Sequence, residues 1–370
     1  MKDIKHLGQV FTSKYIVKIM LSMRKNKGSI LEPSSGNDSF LKELEKNAIG
    51  IEIDRNYCKD KRVLNMDFFK YPLTNKFNTI ISNPPYVRHQ DILDKTKCFL
   101  DYSLFDKRSN LYLFFIEKCI KHLKNNGELI LITPRDFLKL TSSRKLNEKL
   151  YNEGSITDYI ELGDKQVFEG FSPNCLIWRW EKNKKSKLTN KGDFFNCLNG
   201  QIWFGNRVKG TLGDCFNVKV GAVSGADKIF TNDKKGCTDF VCSETRNHKT
   251  TRRMIYNRKD KSLLKYKKEL IARKIRKFNE NNWWEWGRKY HEKEGERIYV
   301  NCKTRHKNPF FISEKKAYDG SVLALFPKEN INLSKAVEKL NKTDWESLGF
   351  NCDGRLIFSQ RCLSYAPIEL

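Results

Sequence analysis

The sequence predicts an α/β protein whose N-terminal half is a parallel β-sheet with helices on both of its faces. Short apolar runs alternate there with amphipathic segments, and turn residues follow several of the runs. The chain has 370 residues, which is enough for two domains. The alternation is lost after residue 182, so we predict domains at 1–185 and 186–370, the second a mixed α+β domain.

The elements of the N-terminal half follow from hydrophobic spacing. Apolar residues at helical spacing predict a helix at 12–23, and a second helix is expected at 40–46, after a turn at 32–36. An amphipathic helix is predicted at 110–124, with Ser109 or Asn110 as its N-cap and Gly127 as a left-handed C-terminal cap. The predicted strands are 29–31, 49–54, 78–82 and 128–133.

The composition narrows the possible partners and locations. Lys and Arg total 70 against 44 Asp and Glu, and the net charge of +26 favours a nucleic-acid partner, although a codon bias toward Lys would produce part of this excess. No apolar run reaches the ~18 residues that span a bilayer, which predicts an intracellular, cytoplasmic protein without a membrane partner. The eleven cysteines include no CxxC pair, so neither disulfides nor a metal site is expected.

Two features near the first strands are typical of an adenosine-type cofactor site. Gly36, in the turn that follows the first strand, lets the backbone come close to a ligand. Glu52, about twenty residues beyond Glu32, can accept hydrogen bonds from both hydroxyls of a ribose. Taken alone, an ordinary strand–helix turn explains them equally well. Asp38 stands where a second glycine is expected; it tolerates a positive φ but adds bulk and charge near the ligand.

The segment Asn83-Pro84-Pro85-Tyr86 follows an apolar strand and predicts a site that acts on an amino group. The Asn83 side-chain oxygen and the Pro84 carbonyl can accept from the two N–H bonds of an exocyclic amine, localising its lone pair. Prolines stiffen the turn, and Tyr86 offers a flat face on which an extruded base can stack. The chemistry is then a direct displacement in which positioning and electrostatics supply most of the rate.

These motifs, in this order, resemble the gamma-class, TaqI-like DNA adenine-N6 methyltransferases of restriction-modification systems. The resemblance rests on residues 8–12, 31–36, 50–54 and 83–86, and continues through 109–112, 133–134, 167–168 and 175–180. Residues 283–288 and 358–361 are similar to parts of the recognition domain of such enzymes. It implies a Rossmann-like class I methyltransferase sheet at 1–185, a DNA target-recognition domain at 186–370, and S-adenosylmethionine as cofactor.

The resemblance also implies roles for individual residues. Thr12 would hold the methionine carboxylate of the cofactor, Glu52 would bind the ribose, and Asp67 would accept from the adenine amino group. Trp180 would pack against the flipped base opposite Tyr86. The other cofactor residues implied are Glu32, Pro33, Ser34 and Gly36 beneath the amino-acid part, with Ile53 and Phe68 beside the adenine ring.

The second half carries basic clusters suited to double-stranded DNA. Arg252, Arg253, Arg273, Lys274 and Arg276 form one cluster, and Lys303, Arg305, His306 and Lys307 form another. Most such charges are a solvated surface. The tryptophans at 283, 284 and 286 are predicted to lie in a core. We expect a monomer whose cognate endonuclease, if it has one, is a separate protein.

Three other functions stay open on the sequence alone. An N5-glutamine protein methyltransferase can share the segment 83–86, but it needs no large basic second half. An N4-cytosine methyltransferase tends to carry Ser at the position of Asn83. A DNA-binding homologue that no longer catalyses is considered because of Asp38.

Overall fold

The computed structural model describes residues 7–163, 174–207, 209–352 and 354–368, and forms two compact units, 1–207 and 208–370. The division falls 22 residues after the predicted boundary at residue 185. The cause is a β-hairpin in between: its Phe195 and Ile202 are buried in the core of the first unit. The basic stretch at 183–187 is therefore a connection within the first unit.

The first unit contains nine strands and four α-helices among its described residues. The helices are α1 (Lys14–Ser22), α2 (Asp94–Lys97), α3 (Leu111–His122) and α4 (Arg144–Glu153). The strands are β1 (Ile30–Glu32), β2 (Ala48–Glu52), β3 (Val63–Asn65), β4 (Phe77–Ser82), β5 (Leu123–Pro134), β6 (Gly154–Glu161), β7 (Cys175–Lys182), β8 (Phe194–Leu198) and β9 (Gln201–Gly205).

Seven of these strands form one sheet in the order β3-β2-β1-β4-β5-β7-β6. The first five are parallel to one another, and β7 is antiparallel to both of its neighbours. This arrangement confirms the predicted α/β class and the class I methyltransferase sheet. The carboxyl ends of β1, β2 and β4 meet at one edge, so the turns that follow these strands lie side by side.

Consecutive residues on the strands face two different cores. Leu31 and Ile80 lie in the core shared with α3, whereas Ile30 and Ile81 lie in the core shared with α1. Near-continuous apolar strands are what a sheet buried on both faces requires. The helices therefore cover both faces, as the sequence predicted.

The helix predicted at 40–46 is wrong, because only a single 3₁₀ turn forms at Leu41–Glu43. In a longer helix, the backbone carbonyls of this segment would accept from N–H groups of the next turn; here they accept from a side chain. The guanidinium of Arg62 donates to the carbonyls of Leu41, Leu44 and Glu45. Asp60 holds this guanidinium in place, so the side chain of Arg62 supplies the hydrogen bonds that these carbonyls would accept within a longer helix.

The helix predicted at 110–124 is confirmed at its start and wrong at its end. Asn110 is the N-cap of α3, and its side chain accepts from the backbone N–H of Tyr112. The helix ends at His122 and β5 begins at once. Asn126, with φ 59°, takes the left-handed conformation expected of Gly127. It lies in a bulge of β5, where the pairing jumps from Leu123 to Glu128.

The second unit is a mixed α+β unit, as predicted. Its main sheet has the order β10-β16-β13-β15, with all pairs antiparallel, and small sheets β11-β12 and β14-β18-β17 accompany it. Trp283 and Trp286 are buried, as predicted for core residues, and Trp284 is half-buried. The strands are β10 (Phe216–Val220), β11 (Thr238–Phe240), β12 (Arg252–Met254), β13 (Ile298–Asn301), β14 (Lys303–Thr304), β15 (Phe310–Ile312), β16 (Val322–Pro327), β17 (Asn351–Cys352) and β18 (Arg355–Ile357). The helices are α5 (Leu212–Cys215), α6 (Asp227–Phe230), α7 (Thr245–His248), α8 (Lys267–Ile271), α9 (Leu333–Lys342) and α10 (Gln360–Ser364).

Candidate active site

A pocket of about 780 Å³, part of it open to solvent, lies at the carboxyl edge of the first unit's sheet. The structure brings eight of the thirteen predicted site residues to its walls: Pro33, Ser34, Gly36, Glu52, Ile53, Asp67, Phe68 and Asn83. The other five are not among its lining residues: Thr12, Glu32, Pro84, Tyr86 and Trp180.

The carboxylate of Glu52 is fixed at the end of β2 by two backbone donors. Oε2 accepts from the Gly36 N–H and Oε1 from the Asp54 N–H, both at 2.8 Å. Gly36 has φ +52°, and a Cβ on it would lie 3.3 Å from the Phe11 ring. Burial raises the pKa of Glu52 above its ordinary value. Each oxygen keeps a second lone pair, so the carboxylate can still accept from a ligand hydroxyl.

Asp67, which follows β3, is a second fixed carboxylate in the pocket. Its Oδ1 accepts from the Phe69 N–H at 2.9 Å, and its Oδ2 accepts from the Thr96 hydroxyl at 2.6 Å. Thr96 also lines the pocket and is buried. Two anchors from different segments hold the carboxylate rigidly, which suits an acceptor for an amino group.

The wall between the two carboxylates is apolar and aromatic. Ile53 and Phe68 contribute to it as predicted, together with Phe115 from α3. The Phe68 and Phe115 ring centroids lie 4.7 Å apart. An apolar, aromatic wall together with these two carboxylates fits an adenosine, whose ring packs on the wall while its hydroxyls and amino group donate.

Asn83 presents an unpaired oxygen at this pocket. Its Nδ2 donates to the Val10 carbonyl at 3.0 Å and to the Thr12 hydroxyl at 3.2 Å, whereas its buried Oδ1 has no hydrogen-bond partner. The Val10 carbonyl can only accept, so it selects this orientation of the amide. A buried acceptor without a partner is costly, and a ligand donor would satisfy it.

Ser34 lies in the turn after β1 and joins this turn to the segment that follows β4. Its hydroxyl lies 2.7 Å from the Ser82 hydroxyl and donates to the Asn83 carbonyl at 3.0 Å. A Cβ on Gly8 would approach the Tyr86 nitrogen to 2.9 Å, so the N-terminal segment packs tightly against the same turn. Two separate stretches of the chain, the N-terminal segment and the turn after β1, therefore hold the segment that contains Asn83.

The Tyr86 ring is also anchored, although it does not line the pocket. Its hydroxyl donates to the Ile132 carbonyl at 2.8 Å, and its ring meets that of Tyr112 edge-on. Burial raises the pKa of Tyr86 well above its ordinary value, so the phenol stays protonated and donates. Tyr86 as a whole residue is half-buried.

The role implied for Trp180 is wrong. Trp180 is 0% exposed, its Nε1 donates to the Leu150 carbonyl, and its ring packs where a Cβ on Gly154 would be. It pairs with Leu129 on β5, about 17 Å along the strand from the edge where Cys175 pairs with the end of β5. Trp180 is therefore a core residue that cannot meet a base opposite Tyr86.

Glu32 and Asp38 lie behind the pocket wall as buried acids. Glu32 Oε2 and Asp38 Oδ1 have no hydrogen-bond partner, and burial raises the pKa of both carboxyls. Asp38 takes a left-handed conformation, with φ 62°, as its replacement of a glycine predicted. It is absent from the residues that line the pocket, so its side chain adds no bulk there.

Sequence reasoning missed part of the pocket. Residues 7–11 line it, but the sequence marked residues 8–11 only as a motif and gave them no role. Leu93 and Thr96, from the segment after residue 86, also line it, and no pattern in the sequence marks them. Residues 167 and 168, part of the resemblance, lie outside the described residues.

The basic clusters of the second unit differ in their pairing. In the first cluster, Arg273 is buried and donates to the carbonyls of Ser224, Trp283 and Glu285. This is a structural role and not that of a base reader. Other members pair with acids, namely Arg252 with Asp319, Arg253 with Asp239 and Arg276 with Glu285.

The second cluster lies on and after β14. Lys303, Arg305 and Lys307 are exposed, and among the described residues no carboxylate forms an ion pair with them. The Arg246 Nε donates to the Asn308 carbonyl, adding a fourth cation beside this loop. We call Arg246, Lys303, Arg305 and Lys307 the basic loop.

The described residues include neither a metal-binding cluster nor a membrane-spanning helix. No group of three His, Cys, Asp or Glu side chains in the described ranges is placed to hold a metal ion. None of the described helices combines the length and the apolar character needed to cross a membrane.

Residues 12–168 match the family model described as Eco57I restriction-modification methylase. The chain is 38% identical over 189 residues to the type II methyltransferase M.HincII of Haemophilus influenzae, covering 48% of this chain and 38% of that protein. It is 32% identical over 246 residues to M.CvrRI of Paramecium bursaria Chlorella virus XZ-6E, covering 58% and 61%. The chain thus spans less than two thirds of the length of these relatives.

Among solved structures, the chain is similar to a type I restriction-modification methyltransferase subunit from Streptococcus thermophilus. That likeness has 18% sequence identity and a TM-score of 0.39, and it covers 52% of this chain and 50% of the other. The sequence matches confirm the resemblance to restriction-modification methyltransferases.

Proposed function

From the match of residues 12–168 to restriction-modification methylases, we infer that this chain is an adenine-specific DNA methyltransferase. It transfers a methyl group from S-adenosylmethionine to N6 of an adenine that is flipped out of duplex DNA. The modified site would then be protected from a cognate endonuclease. We propose that the chain acts as a monomer and that the endonuclease is a separate protein.

The observation that carries the proposal is the unpaired Oδ1 of Asn83 at the wall of the pocket. Its partner Nδ2 is held by the Val10 carbonyl and the Thr12 hydroxyl, so Oδ1 is left to accept from a substrate N–H. A Ser at this position would lack an amide fixed in this way.

The pocket fits S-adenosylmethionine. Glu52 would accept from the ribose hydroxyls, Asp67 would accept from the adenine amino group, and Ile53 and Phe68 would contact the ring. Pro33, Ser34 and Gly36 would lie beside the amino-acid part, whose carboxylate Thr12 would bind. When bound, the cofactor supplies an electrophilic methyl group on a sulfonium.

The protein's own groups then prepare the nucleophile. Asn83 Oδ1 and the Pro84 carbonyl accept from the two N–H bonds of the adenine amino group and concentrate its lone pair on N6. That lone pair would form the new N–C bond to the methyl group, which the bound cofactor would supply as a sulfonium, itself becoming a neutral thioether. The N–H proton, acidic after alkylation, leaves to solvent, so no strong base is needed. The Tyr86 ring would stack on the base.

The basic loop supports double-stranded DNA as the partner. Exposed cations without an ion-pair partner contribute most to the free energy of binding to phosphate, because a paired cation must first break its ion pair with a carboxylate. The four side chains come from β14, the loop after it and α7, and the hydrogen bond from the Arg246 side chain to the Asn308 carbonyl holds α7 and this loop together. They would position the duplex without reading its sequence.

The test is transfer of a tritiated methyl group from S-adenosylmethionine to AT-rich duplex DNA, followed by digestion to nucleosides. We expect the label in N6-methyl-2′-deoxyadenosine. Asn83→Ala should lose transfer and keep its affinity for the cofactor, because Asn83 contacts the base and not the ribose or adenine of the cofactor. Glu161→Ala, at a half-exposed acid that pairs with Arg135, is the control and should stay active.

Each alternative gives a different result in the same assay. DNA binding without any transfer would indicate a homologue that no longer catalyses. Label in cytosine, or in glutamine of an added protein, would indicate the other two methyltransferase classes. Full activity of Asn83→Ala would remove Asn83 from the mechanism.

A further inference from the structure

The Thr12 hydroxyl holds the side-chain nitrogen of Asn83. Thr12 is 8% exposed and precedes α1, and its Oγ1 accepts from Asn83 Nδ2 at 3.2 Å. A threonine hydroxyl has one proton and two lone pairs. While a lone pair accepts from Asn83, the proton is still available to a second acceptor.

We propose that Thr12 is a positioning residue that keeps the Asn83 carboxamide turned with Oδ1 toward the substrate. The inference rests on the proposed function. When the hydroxyl proton is donated to the methionine carboxylate of the cofactor, the lone pairs are the part left facing Nδ2. Cofactor binding therefore favours the amide orientation that methyl transfer needs.

The Val10 carbonyl alone does not fix the plane of the Asn83 carboxamide. One acceptor selects Nδ2 over Oδ1, but a single hydrogen bond leaves the amide plane free to rock about that contact. A second acceptor at 3.2 Å, on the same nitrogen, fixes the plane. Catalysis is sensitive to such alignment, because misplacement by about 1 Å can cost roughly a hundredfold in rate.

Thr12→Val keeps the shape of the side chain and removes the hydroxyl, whereas Thr12→Ser keeps the hydroxyl. We expect Thr12→Val to lower the single-turnover methylation rate roughly three- to tenfold at saturating cofactor, since one hydrogen bond is lost. Thr12→Ser should restore the rate. If Thr12 served only to bind the cofactor, saturation would restore the Thr12→Val rate to that of wild type, and the proposal would be overturned.

A binding measurement tests the same idea without turnover. The duplex carries the mapped target site, with adenine or with purine, which lacks the amino group, at the target position. The ratio of the two Kd values reports the hydrogen bonds made to the amino group. It should shrink in Thr12→Val and return in Thr12→Ser, while affinity for the purine duplex stays constant. An unchanged ratio in Thr12→Val would contradict the proposal.

Thr189→Val is the matched control. Thr189 is 4% exposed, and its hydroxyl accepts from the Asp193 N–H at 3.1 Å, so it loses a similar hydrogen bond elsewhere in the first unit. Its rate and Kd ratio should equal those of wild type; a loss like that of Thr12→Val would mean that the effect is general destabilisation. Failure of the proposed function looks different, because the wild-type chain would then methylate no DNA.

Discussion

Replacing Glu52 by Gln tests the cofactor site most sharply. Both carboxylate oxygens accept from backbone N–H groups, those of Gly36 and Asp54, at 2.8 Å. A glutamine can keep one of these bonds, but its NH₂ group must then face the other N–H, donor against donor. Losing one hydrogen bond to a charged acceptor costs about 1.5–3 kcal/mol. If the free energy of cofactor binding falls by this amount, the Kd for S-adenosylmethionine should rise roughly ten- to hundredfold.

Isothermal titration calorimetry with S-adenosylmethionine measures this change directly. Glu45→Gln is the control: Glu45 is 54% exposed and bonds to Arg24, a surface pair worth at most about 1 kcal/mol. Its Kd should match that of wild type. A folded Glu52→Gln protein that bound the cofactor within about twofold of wild type would refute the reasoning, because a tenfold change corresponds to about 1.4 kcal/mol.

Three further predictions concern the core, a buried acid and the DNA surface. Trp180→Phe should lower the free energy of unfolding by about 1–3 kcal/mol, since a buried Nε1 bond to Leu150 is lost, and leave the methylation rate unchanged. Burial raises the pKa of Glu32, so its contribution to stability is present below the unfolded pKa and lost as pH rises through the folded pKa. Glu32→Gln should therefore flatten the fall in melting temperature as the pH rises above the ordinary pKa of a glutamate carboxyl. Removing the cations at 303, 305 and 307 should lower the slope of log K against log salt for duplex DNA by about 0.9 for each phosphate that these side chains neutralise.

Each of these has an outcome that contradicts it. A large loss of methylation rate in folded Trp180→Phe would indicate that the Trp180 ring contacts the flipped base after all. An equally steep pH dependence in Glu32→Gln would assign the effect to other acids. For the DNA surface, Arg276→Ala is the control, because Arg276 already pairs with Glu285. An equal change of slope in this variant would show that pairing does not distinguish the two clusters.

The sequence predicted the parts of the fold that local signals determine. Alternating apolar runs identified the strands, and Asn110 marked the start of α3 through its side-chain cap. The missing helix at 40–46 depended on Arg62, which lies far along the chain and replaces helical hydrogen bonds. A contact of that kind leaves no local pattern. The predicted end of α3 was wrong for the same reason, because the residues after His122 pair with β4 and form a strand.

The same contrast holds at the site. Residues that follow strands at the carboxyl edge, such as Glu52 and Asn83, could be found because topology brings strand ends together. Thr96 could not, since only the folded chain places its hydroxyl on Asp67. Trp180 was misplaced because position along β7 decides between edge and core, and an aromatic residue in an apolar strand fits both.

The free oxygen of Asn83 is proposed to prepare the amino group of an adenine for methylation. This role can be tested by single-molecule sequencing of DNA from cells that express either the wild-type chain or Asn83→Ala. We expect N6-methyladenine at one short recurring sequence with the wild type and none with the variant. Modified cytosine, or the same adenine marks with both proteins, would contradict it.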